Sequence, residues 1–107
     1  MKNNERICGL LGLATKAGRI VSGTDACLET IQKGKVNLIL IACDCSERTK
    51  STFHKEAEKY NIAIYEVLSM EEISKAIGKP NKAVIGIKDV GFSNKVISII
   101  NGGEAIG

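Results

Sequence analysis

The sequence contains few aromatic residues, with two phenylalanines, two tyrosines and no tryptophan among its 107 residues. A platform that stacks the bases of single-stranded nucleic acid needs several exposed rings, and Phe53, Tyr60, Tyr65 and Phe92 can hardly be spared from the core. The sequence also lacks the roughly 18 consecutive apolar residues of a membrane-spanning helix, and its N-terminal segment is interrupted too early for a signal peptide. We therefore expect a cytoplasmic protein without a stacking platform.

The paired spacings typical of metal and redox sites are absent as well, since the four cysteines include no C-x-x-C pair. Cys8, Cys27 and Cys43 lie in apolar runs, where a thiol is expected to be a small core residue. Cys45 is expected just before a helix, whose N-terminus can lower a thiol pKa. The single histidine, His54, lies over two helical turns further on, too far to act as its base, and we expect it to be a solvated helix residue. A thiol enzyme centred on Cys45 is thus a remote alternative, and the cysteine spacing predicts no metal site.

What the sequence does contain is typical of one globular domain that spans residues 1–107. Hydrophobic residues make up 44% of the chain and charged residues 25%, and the formal net charge is +3. This charge is far smaller than that of histone-like proteins or of basic tails that bind nucleic acid. If the protein binds nucleic acid, it must do so through a local patch.

Hydrophobic periodicity predicts nine segments that alternate between helix and strand. The helices are expected at 3–17, from about 24 to a stop at Gly34, from a cap at Asp44 or Ser46 to about 60, from a capping box at Ser69 and Glu72 to Gly78, and at about 92–101; the strands are expected at 19–22, 35–43, 62–67 and 83–88. Alternating strands and helices pack as a sheet covered on both faces. We therefore expect an α/β fold, a three-layer α-β-α sandwich around a small, mixed, four-stranded sheet.

One candidate site is the segment GLLGLATKAGRIVS, which has the glycines and the lysine of a phosphate-binding loop. The G-x-x-x-x-G-K-[ST] spacing fails, and the segment follows a helical pattern rather than a strand. We interpret it as a helix with a glycine cap. Lys16 and Arg19 then remain as solvent-facing cations beside the strand that leads to Gly23.

The segment SGTDACLETIQKG is a stronger candidate, because Gly23 permits a tight turn and Thr24 can cap the following helix. The free N–H groups of a first helical turn favour phosphate oxygens or base-edge acceptors. Asp25, however, can already satisfy that positive end. Two basic clusters, Lys33 with Lys35 and Lys79 with Lys82, supply the positive charge that a surface needs to position phosphates. Runs of charged residues are, however, usually only solvated faces.

Four stretches carry a resemblance to a known family: GLLGLATKAGRIVSGTDAC, KVNLILIACDCSE, ISKAIGK and AVIGIKDVGFSNKVISII. In this order they span nearly all of the chain, which resembles the ribosomal L-seven-Ae (L7Ae) superfamily and is most similar to its bacterial YlxQ-type members. The resemblance implies an α-β-α sandwich that binds structured RNA without catalysis or cofactor. The typical target is a kink-turn, a sharply bent junction with sheared G·A pairs whose base edges are open to the protein.

The resemblance also implies which residues bind. Gly23 and Thr24 match the start of the family's recognition helix, and Lys33 matches a basic position near its end. The family's strongest kink-turn binders continue with Asn-Glu, where this chain has Asp25 and Ala26, and an ionised Asp only accepts hydrogen bonds. A family lysine one turn later is Glu29 here.

The second loop of the family, apolar and acidic, is replaced by Lys79, Pro80, Asn81 and Lys82. We therefore expect the RNA site to be retained in altered, more salt-sensitive form. Its residues are expected to be Lys16, Arg19, Gly23, Thr24, Asp25, Lys33, Lys79 and Lys82. The expected partner is structured RNA of kink-turn type, ribosomal or otherwise associated with translation, bound by a monomer with no small-molecule substrate. The alternative is a protein-interaction module of the same fold that has lost kink-turn binding, which Asp25, Ala26 and Glu29 favour.

Overall fold

Nine elements alternate along the chain in the computed structural model, which describes residues 3–102. They are α1 (Asn3–Lys16), β1 (Ile20–Ser22), α2 (Thr24–Gln32), β2 (Leu38–Ile41), α3 (Glu47–Tyr60), β3 (Ala63–Glu66), α4 (Met70–Ile77), β4 (Val84–Ile87) and α5 (Val90–Ile100). The predicted order of helices and strands is confirmed. The strands are shorter than the segments predicted for them.

Local caps define several helix ends as the sequence predicts. The capping box of α4 is complete: Ser69 Oγ accepts from the Glu72 N–H at 3.0 Å, and Glu72 Oε1 accepts from the Ser69 N–H at 2.8 Å. For α3 the cap is Ser46, whose hydroxyl accepts from the Thr49 N–H at 3.1 Å. Asp44, the other candidate, serves α4 instead, since its Oδ1 accepts from the Met70 N–H at 2.9 Å.

The last helix begins two residues before the predicted start. Asp89 caps it: the Asp89 carboxylate accepts from the Phe92 N–H at 2.7 Å, so that Val90 is the first helical residue. An aspartate three residues before a hydrophobic position is a regular N-cap signal. The apolar periodicity by itself places the start of this helix at Phe92.

The four strands form one mixed sheet in the order β1-β4-β2-β3. Strand β4 lies antiparallel to both β1 and β2, and β2 lies parallel to β3. In this register Ser22 pairs with Ile85, while Ile41 pairs with Val84 and with Glu66. The two central strands are therefore β4 and β2, and all their residues are buried.

Successive residues of the central strands face two separate cores. Leu38 and Leu40 pack with α1, α4 and α5, whereas Ile39 and Ile41 pack with α2 and α3. Alternation of this kind follows from the two-residue repeat of a strand, and it produces three layers. The predicted α-β-α sandwich is confirmed.

The cysteines divide between core and surface. Cys27 is fully buried in the α2–α3 core, as predicted, and Cys8 is partly buried against the other core. The prediction for Cys43 is wrong, because its side chain is exposed. The pairing of β2 ends at Ile41, and Cys43 lies in the turn beyond it, where its N–H donates to the Leu68 carbonyl at 2.8 Å. Across residues 3–102, none of the helices has the length and apolar character needed to cross a membrane.

Candidate nucleic-acid interface

The sheet has two ends that matter for the candidate site. At one end of the sheet β1 finishes and β4 begins, and we call this the Gly23 end. At the opposite end β1 begins and β4 finishes, and we call this the Arg19 end. The antiparallel pairing of β1 with β4 places Gly23 beside Val84 at the first, and Arg19 beside Lys88 at the second.

Gly23 joins the sheet to the recognition helix. Its N–H donates to the Val84 carbonyl at 3.0 Å, and its own carbonyl accepts from the Cys27 N–H at 3.0 Å. The backbone there has φ 94° and ψ 153°, a conformation that residues with a Cβ rarely adopt. The sequence needs glycine at this position so that one residue can end β1 and begin α2.

The first turn of α2 differs from the prediction that Thr24 caps the helix. The N-cap residue is Gly23, no side-chain hydrogen bond caps this helix, and Thr24 is the first helical residue. Glycine is the reason, since it has no side-chain oxygen that could accept from the N–H groups of the first turn. Thr24, Asp25 and Ala26 are all exposed, so this turn offers its backbone donors at the surface.

The loop between α4 and β4 is tied to α4 by one hydroxyl. Ser74 Oγ accepts from the Lys82 N–H at 2.9 Å and donates to the Lys82 carbonyl at 3.3 Å. The chain reverses through Gly78 and Asn81, both with positive φ. Lys79 and Pro80 are exposed in the same loop. Ser74 was not among the predicted site residues, because it lies inside a helical pattern and gives no local signal of contact with a loop.

These two segments meet at the Gly23 end. A Cβ placed on Gly23 would lie 3.3 Å from the Lys82 Nζ atom, so the lysine ammonium covers the start of α2. The structure thus brings together Gly23, Thr24, Asp25 and Lys82, with Lys79 in the adjoining loop. A shallow cavity of about 340 Å³ lies beside this loop, lined by Met70, Glu71, Ser74, Pro80 and Asn81.

Three predicted site residues lie elsewhere. Arg19 is at the opposite end of β1, where its Nε lies 3.9 Å from Asp89 Oδ1. Lys33 follows the C-terminal end of α2 and pairs with Glu29 at 3.5 Å. Lys16 ends α1, which leads into β1 at the Arg19 end. The predicted residues therefore lie at two opposite ends of the sheet, because β1 and α2 each run from one end of the sheet to the other.

His54 has a partner that the sequence did not reveal. Its Nε2 lies 2.9 Å from Glu66 Oε2, and Lys50 Nζ lies 3.5 Å from the other Glu66 oxygen. The His54 contact, with the charge of Lys50, lowers the pKa of the Glu66 carboxyl, although partial desolvation opposes the shift. His54 is an exposed residue of α3, as predicted, and its contact with Glu66 arises because β3 returns alongside α3.

Cys45 is not an activated thiol. Partial burial raises its pKa, and the nearby Lys50 charge does not offset that effect. A helix N-terminus lowers a thiol pKa only where the thiolate is accessible to the helix donors, and here Ser46 occupies the capping position of α3. Among residues 3–102 there is also no group of three or more His, Cys, Asp or Glu side chains that could hold a metal ion.

The fold and the site together define a class: a small α-β-α sandwich in which a glycine-started helix and a lysine-bearing loop meet at one end of a mixed sheet. The chain belongs to the ribosomal protein L7Ae/L30e/S12e/Gadd45 family, whose model matches residues 5–97. The resemblance inferred from the sequence is thereby confirmed.

Relatives and a solved structure agree with this assignment. A protein from Enterococcus faecium named RNA-binding protein YlxQ is 35% identical over 100 residues, which cover 94% of this chain and 96% of the relative. A Bacillus subtilis (strain 168) protein of the same name is 33% identical over 92 residues, covering 86% of this chain and 92% of the relative. A structure of a protein of unknown function from Bacillus halodurans C has a TM-score of 0.85 at 33% identity, covering 89% of this chain and 96% of that one.

Proposed function

We propose that this protein binds structured RNA at the Gly23 end of the sheet, and that its target is a kink-turn or a related bent junction. The observation that carries the proposal is the approach of Lys82 Nζ to within 3.3 Å of the position of a Gly23 Cβ. It supports a site where an ammonium group and the open donors of α2 act on the same RNA segment. The names of the two YlxQ relatives, both called RNA-binding proteins, support RNA binding as such.

Each part of this site has a separate task. The backbone donors of Thr24, Asp25 and Ala26 suit phosphate oxygens or the acceptor edges of bases. Since Gly23 has no side chain, a nucleotide can approach the backbone closely at the point where Lys82 supplies positive charge. A bent junction fits this site better than a regular duplex, because the deep, narrow major groove of A-form RNA hides its base edges.

Asp25 affects which groups of an RNA the site can bind. An ionised aspartate can accept an amino proton from guanine or adenine, but it repels phosphate. Lys79 and Lys82 offset that repulsion with charge that salt screens. We therefore expect binding that is more sensitive to salt than that of relatives with Asn-Glu at this position. Binding by a monomer to ribosomal or other translation-associated RNA in the cytoplasm, without catalysis, completes the proposal.

A gel-shift titration tests the proposal with three RNAs: a standard kink-turn, a straight duplex of matched length, and the kink-turn with its G·A pairs replaced. Each is titrated at low and at physiological salt. We expect the intact kink-turn to bind most tightly in both. Equal binding of all three, lost in salt, would instead indicate a protein that contacts only the RNA backbone.

A variant pair then tests the site itself. Lys82→Gln should weaken kink-turn binding several-fold and reduce the slope of log affinity against log salt by about 1, the value for one lost phosphate contact. Lys55→Gln, which removes the same charge from the exposed side of α3, is the matched control and should change neither. Equal binding by the Lys82 variant and the parent would argue against the site.

A protein-interaction module remains the alternative, favoured by the exposed acidic side chain of Asp25 at the start of α2. It predicts partners captured by the tagged protein that persist after ribonuclease treatment. The RNA proposal predicts their loss. No binding of any of the three RNAs, together with ribonuclease-resistant partners, would favour the module.

A further inference from the structure

The Arg19 end of the sheet carries five exposed cations, and we propose that it is a second RNA-binding surface, which holds the phosphates of a stem that extends from the junction. Its residues are Lys16, Arg19, Lys33, Lys35 and Lys88. The inference rests on the function proposed above, since the stem belongs to the RNA bound at the Gly23 end. It adds a second contact to that RNA, on the opposite end of the molecule.

Arg19 and Lys88 form the centre of this surface. The Lys88 N–H donates to the Arg19 carbonyl at 2.8 Å, just beyond the cross-strand pair of Ile20 with Ile87. Like charges that face each other on adjacent strands repel, so this pair costs stability unless an anion lies between them. Asp89 compensates only in part: Arg19 Nε lies 3.9 Å from its Oδ1, and its Oδ2 caps α5.

The end of α2 adds two more cations beside this pair. The Asn37 N–H donates to the Ile87 carbonyl at 2.8 Å, which fixes the segment after α2 against the strand that leads to Lys88. Lys33 and Lys35 lie in that segment. Lys33 pairs with Glu29, but both side chains are largely exposed, and such a pair contributes little and leaves the lysine accessible.

The two ends of the sheet differ in charge. The Gly23 end holds a set of acidic side chains in its loops, strand ends and first helical turns: Asp25, Asp44, Glu47, Glu66 and Glu71. Lys50 is engaged there by Glu47 and Glu66, each at 3.5 Å. The Arg19 end can therefore add attraction for a polyanion to that of Lys79 and Lys82 at the Gly23 end.

Helix ends alone do not account for the Arg19 end. Cations near a helix C-terminus stabilise its dipole, and this explains Lys16 in the last turn of α1. Arg19 is also favoured in this way, because its N–H donates to the Ala14 carbonyl of α1 at 2.9 Å. Lys88 is not, since it precedes the N-terminus of α5, where the helix dipole disfavours a cation. The molecule measures 33 × 26 × 25 Å, so an RNA must extend well past the junction to reach both ends.

The test compares two kink-turn RNAs, one with minimal stems and one with a stem extended by roughly 16 base pairs, the span that a double-stranded RNA-binding domain covers. The variant is Lys35→Gln/Lys88→Gln. The control is Lys55→Gln/Lys75→Gln, which removes the same charge from exposed positions on α3 and α4. The parent should bind the extended RNA more tightly than the minimal RNA. The Lys35/Lys88 variant should lose that gain and about 2 units of the salt slope, whereas the control should keep both.

Hydroxyl-radical footprinting of the extended RNA gives a second, independent readout. The parent should protect backbone positions in the extended stem, and the Lys35/Lys88 variant should lose that protection while the junction stays protected. Unchanged affinity and footprint in this variant would overturn the second surface. If Lys82→Gln still weakens both RNAs in that case, the proposed function stands. If the parent binds neither RNA, both proposals fail.

Discussion

At the scale of single residues, the missing Cβ of Gly23 determines what can lie at the start of α2. We expect Gly23→Ala to reduce the free energy of unfolding by roughly 1–3 kcal/mol, because alanine is strained at φ 94° and its Cβ would lie 3.3 Å from Lys82 Nζ. Urea denaturation measures this loss. Gly9→Ala is the matched control: its Cβ meets nothing within 4 Å in the middle of α1, so it should stabilise by about 0.5–1 kcal/mol. Equal effects of the two substitutions would contradict the strain at Gly23.

Also at the residue scale, the contact of His54 with Glu66 predicts a pH dependence. This contact and the Lys50 charge hold the pKa of Glu66 below its ordinary value of 4.5. A carboxylate with a lowered folded-state pKa stabilises the protein above its unfolded pKa, and that stability is lost as the pH falls through the folded value. We expect the urea concentration at the midpoint of unfolding to decrease as the pH is lowered below about 4.5. The decrease should be smaller in Glu66→Gln.

Glu58→Gln is the control for that measurement, since Glu58 is an exposed carboxylate of α3 that makes no ion pair with the other residues of 3–102. Its acid dependence should match that of the parent. A Glu66→Gln curve parallel to that of the parent across the acid range would show that the His54 and Lys50 contacts contribute nothing to folding.

At the scale of elements, Gly86 sets the distance between β4 and the side chains that cover it. A Cβ there would lie 3.0 Å from Val21 Cγ1 and 3.1 Å from Val36 Cγ1. We expect Gly86→Ala to destabilise by about 1–3 kcal/mol through overpacking. Adding Val36→Ala should recover part of that loss, because it removes two of the three methyl groups that the new Cβ meets. Additive losses in the double variant, measured by urea denaturation, would contradict the overpacking.

The elements themselves were largely predictable from the chain. The Ser69–Glu72 capping box and the stop at Asn61 are local hydrogen-bonding devices, so their sequence signals do not depend on the rest of the fold. Thr24 shows the limit of such signals. Both Gly23 and Thr24 suit an N-cap, and the choice between them followed from the bond of the Gly23 N–H to Val84, a residue far along the chain.

At the scale of the whole molecule, the rate at which the Cys27 thiol is labelled measures how often the whole protein unfolds. Its side chain is fully buried, its Sγ lies 3.5 Å from the Val21 carbonyl, and burial raises the pKa of its thiol to about 12. Because the thiolate is the reactive form, labelling of Cys27 requires unfolding, whereas exposed Cys43 should react at once. In a Cys8→Ser/Cys43→Ser/Cys45→Ser variant, we expect the labelling rate at pH 8 to follow the urea dependence of global unfolding. Rapid labelling without urea would show that this core opens locally.

By itself, the sequence determined the alternation of elements, most of their caps, the three-layer architecture and the family. The elements, caps and layers depend on periodicity and on contacts between near neighbours, which a sequence displays directly, whereas the family was identified from the resemblance of four stretches. Only the tertiary structure decided the strand order β1-β4-β2-β3 and its register. That order brought Lys82 over Gly23, paired His54 with Glu66, and moved Arg19 to the other end of the sheet. Strand pairing is a choice among long-range contacts, each consistent with the same local patterns, and the packing of the whole core selects one of them.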